Sequence, residues 1–163
     1  YYYIKLEGEV EISENKTEDM SIKQNIKIAV DIVLFTSINN EEHVLLIERK
    51  NKVDNSKTAL PGGFIEDDES PEESALRELK EETNISLDSL QQFKTYGEVN
   101  RDPRFRVISI VHWKTIDHKK HQIKGGDDAL KAQWFPVSDL PELAFDHNKI
   151  IRELIESKNN TNL

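Results

Sequence analysis

No cysteine occurs among the 163 residues. Disulfides, thiolate metal sites and cysteine nucleophiles are therefore excluded, and a reducing, cytoplasmic setting is expected. Long apolar runs are missing too. The longest, residues 28–35, is interrupted by Asp31 and falls short of the roughly 18–20 residues that span a bilayer. Residues 1–12 alternate apolar and charged side chains, so no signal peptide and no membrane partner are expected. Basic charge is in short supply: 22 Lys and Arg stand against 31 Asp and Glu, a net charge of −9. A duplex-binding protein normally shows a basic face, so nucleic acid is not the expected partner. A small anionic substrate remains compatible if cations neutralise it locally. The five histidines are dispersed and show no metal-ligand spacing. The first residue is Tyr1, not Met, which leaves open a native start upstream or a module of a larger protein.

What is present suits one domain with its own core: 36% apolar and 33% charged residues. Residues 1–14 alternate with a period of two, as a strand does, and 15–25 read as a polar linker. Residues 26–35 are rich in β-branched side chains and predict a strand. Asn39-Asn40 marks a turn, 43–48 reads as the antiparallel return, 51–57 as a polar loop and 60–64 as a tight Gly-rich bend. Further strands are expected over 93–99, 106–114 and 132–137. An amphipathic helix is expected over 146–157, with Ile150, Ile151, Leu154 and Ile155 on one side. The interleaving predicts an α/β fold, a mixed sheet in a sandwich with helices. The organisation read from this pattern is a strand and linker over 1–24, one domain over 25–157 and a frayed tail over 158–163.

One helix carries the chemistry. Ser70 is the expected N-cap, Pro71 the first helical residue and Glu73 the partner in a Ser-x-x-Glu capping box. The helix should run over 71–83, with Asn84 as a left-handed terminator. Glu78, Glu81 and Glu82 fall at i, i+3 and i+4 and share one arc, beside an apolar stripe of Ala75, Leu76 and Leu79. Like charges this close repel, unless a cation sits among them; carboxylate oxygens are the hard ligands Mg²⁺ and Mn²⁺ prefer. Arg77, four residues before Glu81, is placed to hold that carboxylate. Taken alone, an acidic helix face is more often a solvated surface.

The surroundings decide otherwise. From Gly63 the chain reads Gly, five residues, Glu69, seven residues, then Arg77-Glu78-Leu79-Lys80-Glu81-Glu82-Thr83-Asn84-Ile85. This resembles the Nudix box, G-x5-E-x7-R-E-U-x-E-E-x-G-U, with Asn84 in place of the second Gly as the one departure. Leu60-Pro61-Gly62 precedes the box as is common in the family. The resemblance implies a Nudix fold, a mixed β-sheet in an α/β/α sandwich with a loop-helix-loop catalytic motif. It implies Glu78 and Glu82 as principal ligands of Mg²⁺ or Mn²⁺, Glu81 assisting as ligand or in orienting water, and the Gly62 carbonyl as a backbone ligand. Gly63 is expected beside substrate, and Glu69 and Arg77 look like supports for the loop. Such a site cuts diphosphates: metal ions neutralise the oxygens and activate water, and a carboxylate takes a proton.

Three more segments resemble ADP-ribose pyrophosphatases and related Nudix regulators of NAD metabolism: Gly97-x-x-x-Arg101-Asp102-Pro103-Arg104, Gly126-Asp127-Asp128-Ala129 with Trp134-Phe135, and Leu143-Ala144-Phe145-Asp146-His147. Arg101 and Arg104 are expected to clamp phosphate or ribose oxygens, with Arg49 a weaker candidate. Asp127 is expected to reach the catalytic centre with Glu81 and Glu82; Asp128 and Glu98 compete for the base. Each segment alone also reads structurally: Asp-Pro-Arg as a turn, Gly-Gly-Asp-Asp as a loop, Asp146 as an N-cap, Trp134 and Phe135 as core and His112 as a satisfied strand histidine. The resemblance favours hydrolysis of ADP-ribose to AMP and ribose 5-phosphate. The alternatives are another nucleotide pyrophosphohydrolase or a regulator that senses ADP-ribose without cutting it. Regulators of that kind carry a C-terminal winged helix and often lose catalytic glutamates, so the early end of this chain and its three glutamates favour the enzyme. Family members often dimerise through N-terminal strands, which makes residues 1–12 the expected dimer contact.

Overall fold

The computed structural model describes residues 25–53, 55–123 and 131–161. The strand and linker expected over 1–24, and the loop carrying Asp127 and Asp128, lie outside the described residues. Among those described, seven strands form one mixed sheet. β1 (Lys27–Ile38) is its axis. It runs parallel to β6 (Val107–Thr115) and antiparallel to β2 (Glu41–Val53) and β4 (Gly62–Phe64). β3 (Ser56–Ala59) and β7 (Ala132–Pro136) pair with β2, and β5 (Gln91–Tyr96) pairs with β6.

β1 is covered on both faces, which is why its sequence is almost continuously apolar. Val30, Ile32 and Leu34 join Leu45, Ile47 and the helix residues Ala75 and Leu79 in one core. Val33 and Phe35 join Val44, Leu46, Ile150, Ile151 and Leu154 in the other. Helix α1 (Pro71–Thr83) therefore covers one face and α2 (His147–Thr161) the other. This is the expected sandwich. Trp134 and Phe135 pack against the two cores, as the core reading had it. His112 is buried, its Nδ1 paired with the Ile110 carbonyl.

Local chemistry explains the turns. Asn39 and Asn40 both have positive φ, 53° and 65°, between Ile38 and its partner Glu41. That is the two-residue primed hairpin, which suits the right-handed twist of its strands. The polar stretch expected as a loop over 51–57 is instead another strand pairing: Val53 pairs with Ser56. Polarity misled because the outer end of β2 is exposed there. The Gly-rich bend continues into β4, whose Gly62 and Gly63 pair with Asp31 and Val30. α2 continues to Thr161, four residues past the expected end. Its polar last turn needs no apolar partner to stay helical.

Candidate active site

Helix α1 is built as its sequence dictates. The Ser70 hydroxyl accepts a hydrogen bond from the Glu73 amide, the Glu73 carboxylate accepts one from the Ser70 amide, and Pro71 leads the first turn. Asn84 closes the helix at φ 68°, its amide bonded to the Lys80 carbonyl. Asn therefore takes the left-handed position without breaking the turn.

The loop before the helix is clamped by Arg77. Its Nε and Nη2 donate to the two oxygens of Glu69 at 2.9 and 2.6 Å. Nη2 also reaches the Phe64 carbonyl, and Nη1 donates to Glu78 at 2.8 Å. Glu69 in turn accepts from the Glu66 amide. Hydrogen bonds from Arg77 hold the Glu69 carboxyl down at about 2. Arg77 thus serves Glu69 and Glu78 first; its contact with Glu81, the one expected from spacing, is the longest at 3.5 Å.

The three glutamates have different surroundings. Glu82 accepts the Gly62 amide at 2.8 Å, and burial, with Glu78 adding repulsion, pushes its carboxyl up to about 7. Burial also pushes Glu78 up, against the pull of Arg77. Gly63 makes room for Glu78: a Cβ on it would lie 2.1 Å from Glu78 Oε1 and push that carboxylate from its place. Gly62 is required by β1, since its Cβ would lie 2.2 Å from the Val30 carbonyl oxygen. Glu81 is the exposed member, with its side chain 59% accessible.

An open cleft of about 210 Å³ lies against this bend. It brings together Arg49, Gly62, Gly63, Glu82, Arg101 and Arg104 from the expected set. Glu78 and Glu81 are not on its wall. Glu98 is elsewhere, exposed in a separate hollow near Lys149.

Arg101 differs from expectation. Only 7% exposed, it donates from Nη2 to Asp31 and Asp146 at 3.0 and 2.7 Å, and from Nε to Asp146 at 3.1 Å. Two carboxylates already occupy those donors, so Arg101 braces the cleft wall. Asp146 spends its side chain on Arg101 and not on capping α2. Arg104 is held by Asp102 through paired bonds of 3.0 and 2.8 Å yet stays 39% exposed.

Asp31, the residue that interrupts the apolar run, is the hub. It accepts from Ser109 at 2.6 Å and from Arg101, and lies 3.2 Å from His147 Nε2. Burial alone would raise its carboxyl; the His147 ring, Arg101 and Ser109 outweigh that and hold it far below the carboxylate range. The Leu60 amide donates to His147 Nδ1 at 2.9 Å, so the ring proton sits on Nε2, facing Asp31. Asp31, Phe145 and His147 line the cleft but were not singled out as site residues from sequence. A charge inside an apolar strand was the available signal for Asp31.

Comparison with known proteins fits this geometry. The NUDIX domain family model matches residues 26–156. The ADP-ribose pyrophosphatase of Methanocaldococcus jannaschii is 42% identical over 132 residues, covering 81% of this chain and 75% of that protein. The ADPR responsive transcriptional repressor NtrR of Acinetobacter baylyi is 30% identical over 82% of this chain, which spans 54% of the repressor. Among solved structures, the NUDIX domain of Shewanella oneidensis NrtR complexed with ADP ribose superposes with a TM-score of 0.74 at 30% identity, covering 86% of this chain and 94% of that one. Fold, box and relatives agree: the chain belongs to the Nudix family of pyrophosphohydrolases.

Proposed function

We propose that the chain hydrolyses ADP-ribose to AMP and ribose 5-phosphate with Mg²⁺ or Mn²⁺. The observation that carries the reading is the cleft itself, where a half-buried carboxylate, Glu82, shares a wall with Arg49 and Arg104. The 42% identity to an ADP-ribose pyrophosphatase supports the substrate.

The donor set fits a hard divalent cation. Glu78 and Glu82 stand one helical turn apart, and burial raises both carboxyls, so a bound cation would favour their charged forms. Among the described residues no three His, Asp or Glu side chains form a finished metal cage. Glu78, Glu82, Glu81 and the Gly62 carbonyl would hold the ion. When bound, it neutralises diphosphate oxygens and makes water a better nucleophile. Arg104 and Arg49 hold the anionic substrate, Gly63 lets it approach the backbone, and Arg101 keeps the wall in register. Glu81 or Asp127 takes the proton of the attacking water, which adds across the P–O–P bridge and leaves two monophosphates.

The test is a phosphate-ester screen with ADP-ribose, NADH, nucleoside triphosphates and dinucleoside polyphosphates, with Mg²⁺, Mn²⁺ or excess EDTA. ADP-ribose should show the highest kcat/KM and EDTA should abolish turnover. Full turnover in EDTA would remove the metal mechanism. Faster cleavage of a triphosphate would remove the substrate. Binding of ADP-ribose without release of AMP under either metal would favour a sensor, as in the ADPR responsive repressor relative.

A further inference from the structure

Phe145 stands out on two counts. Its backbone is left-handed at φ 59°, a costly conformation for a bulky residue that persists only when its surroundings impose it. The surroundings do so here. The Ala144 amide bonds to the Thr58 carbonyl, and the His147 amide bonds back to the Ala144 carbonyl. The ring then meets two cations. The guanidinium carbon of Arg49 lies 5.3 Å from its centroid and that of Arg104 lies 5.2 Å away. All three side chains line the same cleft as Glu82.

The third observation is on Arg49. Its Nε is buried without a hydrogen-bond partner, and among the described residues Arg49 makes no ion pair. A buried charged donor left unpaired is costly, and phosphate oxygens are the acceptors a guanidinium matches best. Two guanidinium groups on one wall repel each other. A carboxylate between them would relieve that but would also neutralise the pair. An aromatic ring does something different: its negative face attracts a guanidinium without neutralising it.

Building on the proposed hydrolysis, we infer that Phe145 is a specificity-determining residue, whose ring holds Arg49 and Arg104 together as a receptor for a phosphate group of the nucleoside diphosphate substrate. The left-handed backbone presents the ring at that point. The buried Asp102 fixes Arg104 through paired hydrogen bonds, and Arg49 offers the unpaired Nε. Removing the ring should therefore loosen the anion grip and leave the carboxylates of α1 in place.

The test compares Phe145→Asn, Phe145→Leu and Phe145→Tyr with the parent chain. Asn tolerates the left-handed backbone better than Phe, so that variant separates the ring from the fold. AMP and adenosine are titrated calorimetrically in EDTA. AMP binding should weaken about tenfold in Phe145→Asn and Phe145→Leu and stay within about twofold in Phe145→Tyr, on the scale of partly desolvated cation–π contacts. Adenosine binding should be the same in all four proteins. In steady state with ADP-ribose, KM should rise by a similar factor while kcat stays within about threefold. Arg49→Ala should cost less AMP affinity in the Phe145→Leu background than in the parent, because the pair is already loosened. Unchanged AMP affinity with a lowered melting temperature would reduce Phe145 to core packing and overturn the proposal. A parallel loss of adenosine binding would assign the ring to the base and overturn it as well, as would a parent chain that binds AMP no better than adenosine. If ADP-ribose is not cleaved but the AMP pattern holds, the substrate reading falls and the receptor stands.

Discussion

Glu82→Gln should make the metal-free protein more stable while disabling the enzyme. In the folded chain burial, aided by Glu78, moves the Glu82 carboxyl from 4.5 to about 7. A raised carboxyl pKa means that ionisation opposes folding. The penalty is absent below about pH 4.5, where the group is protonated folded and unfolded alike. It grows between 4.5 and about 7 and is fully present above. The distance between those two values corresponds to about 3 kcal/mol, an upper bound because the bend can relax. A neutral Gln keeps an oxygen for the Gly62 amide and carries no charge to penalise. Urea denaturation in EDTA at pH 4.5, 6 and 8 should show parent and variant nearly equal at the lowest pH, with the variant ahead by up to about 3 kcal/mol at pH 8. Adding Mg²⁺ at pH 8 should stabilise the parent more than the variant, since binding to the native state is folding free energy. The variant's kcat should fall by two orders of magnitude or more, about 2.7 kcal/mol. A variant less stable than the parent at pH 8 in EDTA would refute the claim that burial penalises the charged Glu82 carboxylate.

Gly63→Ala should fold, because the clashing atom is the movable end of Glu78, but it should weaken Mg²⁺ affinity and kcat together; a metal titration followed by melting temperature reads the first and initial rates the second. Asn84→Gly should change stability by no more than about 1 kcal/mol and leave kcat unchanged, since both residues accept the left-handed position; a large gain in activity would show that Asn84 damages the site. Arg101→Ala should cost about 3–5 kcal/mol in urea, because it strands Asp31 and Asp146, whereas Arg104→Ala should cost less and raise KM, because Asp102 keeps the hydrogen bond from the backbone amide of residue 104. Equal stability losses for the two variants would erase the distinction between brace and anchor.

The catalytic helix was legible in sequence because every determinant is local. Ser70, Pro71 and Glu73 start it and Asn84 stops it, and the observed bounds agree with those expected. The two-sided burial of β1 showed as an apolar run, and the Asn39-Asn40 turn as a residue pair suited to positive φ. What escaped depends on contacts between residues far apart in the chain. Arg101 reads as a phosphate clamp until Asp31 and Asp146, 70 and 45 positions away, are seen to occupy its donors. Arg77 reads as the partner of Glu81 at i+4, but closure of the loop before the helix brings Glu69 closer. Phe145 has no local signature, because a left-handed Phe is set by its neighbours' hydrogen bonds and not by its own preference.

The cleft draws on both faces of the sheet, and the bend Leu60-Pro61-Gly62 is where they meet. The acids come from α1 on one face; His147 opens α2 on the other, and Phe145, two residues before it, packs against the core on the α1 side. Three hydrogen bonds fix the bend between them. The Leu60 amide reaches His147, the Pro61 carbonyl takes the Ile32 amide, and the Gly62 amide reaches Glu82. The half-buried Glu82 carboxylate and the unpartnered Nε of Arg49 thus line one cleft around a single stretch of backbone. A diphosphate with a metal ion supplies what each side lacks. That complementarity explains why Gly62 admits no side chain, why Asp31 is buried with its charge, and why His147 must accept a hydrogen bond at Nδ1. All three keep the bend in place so that the two halves of the cleft act on one substrate.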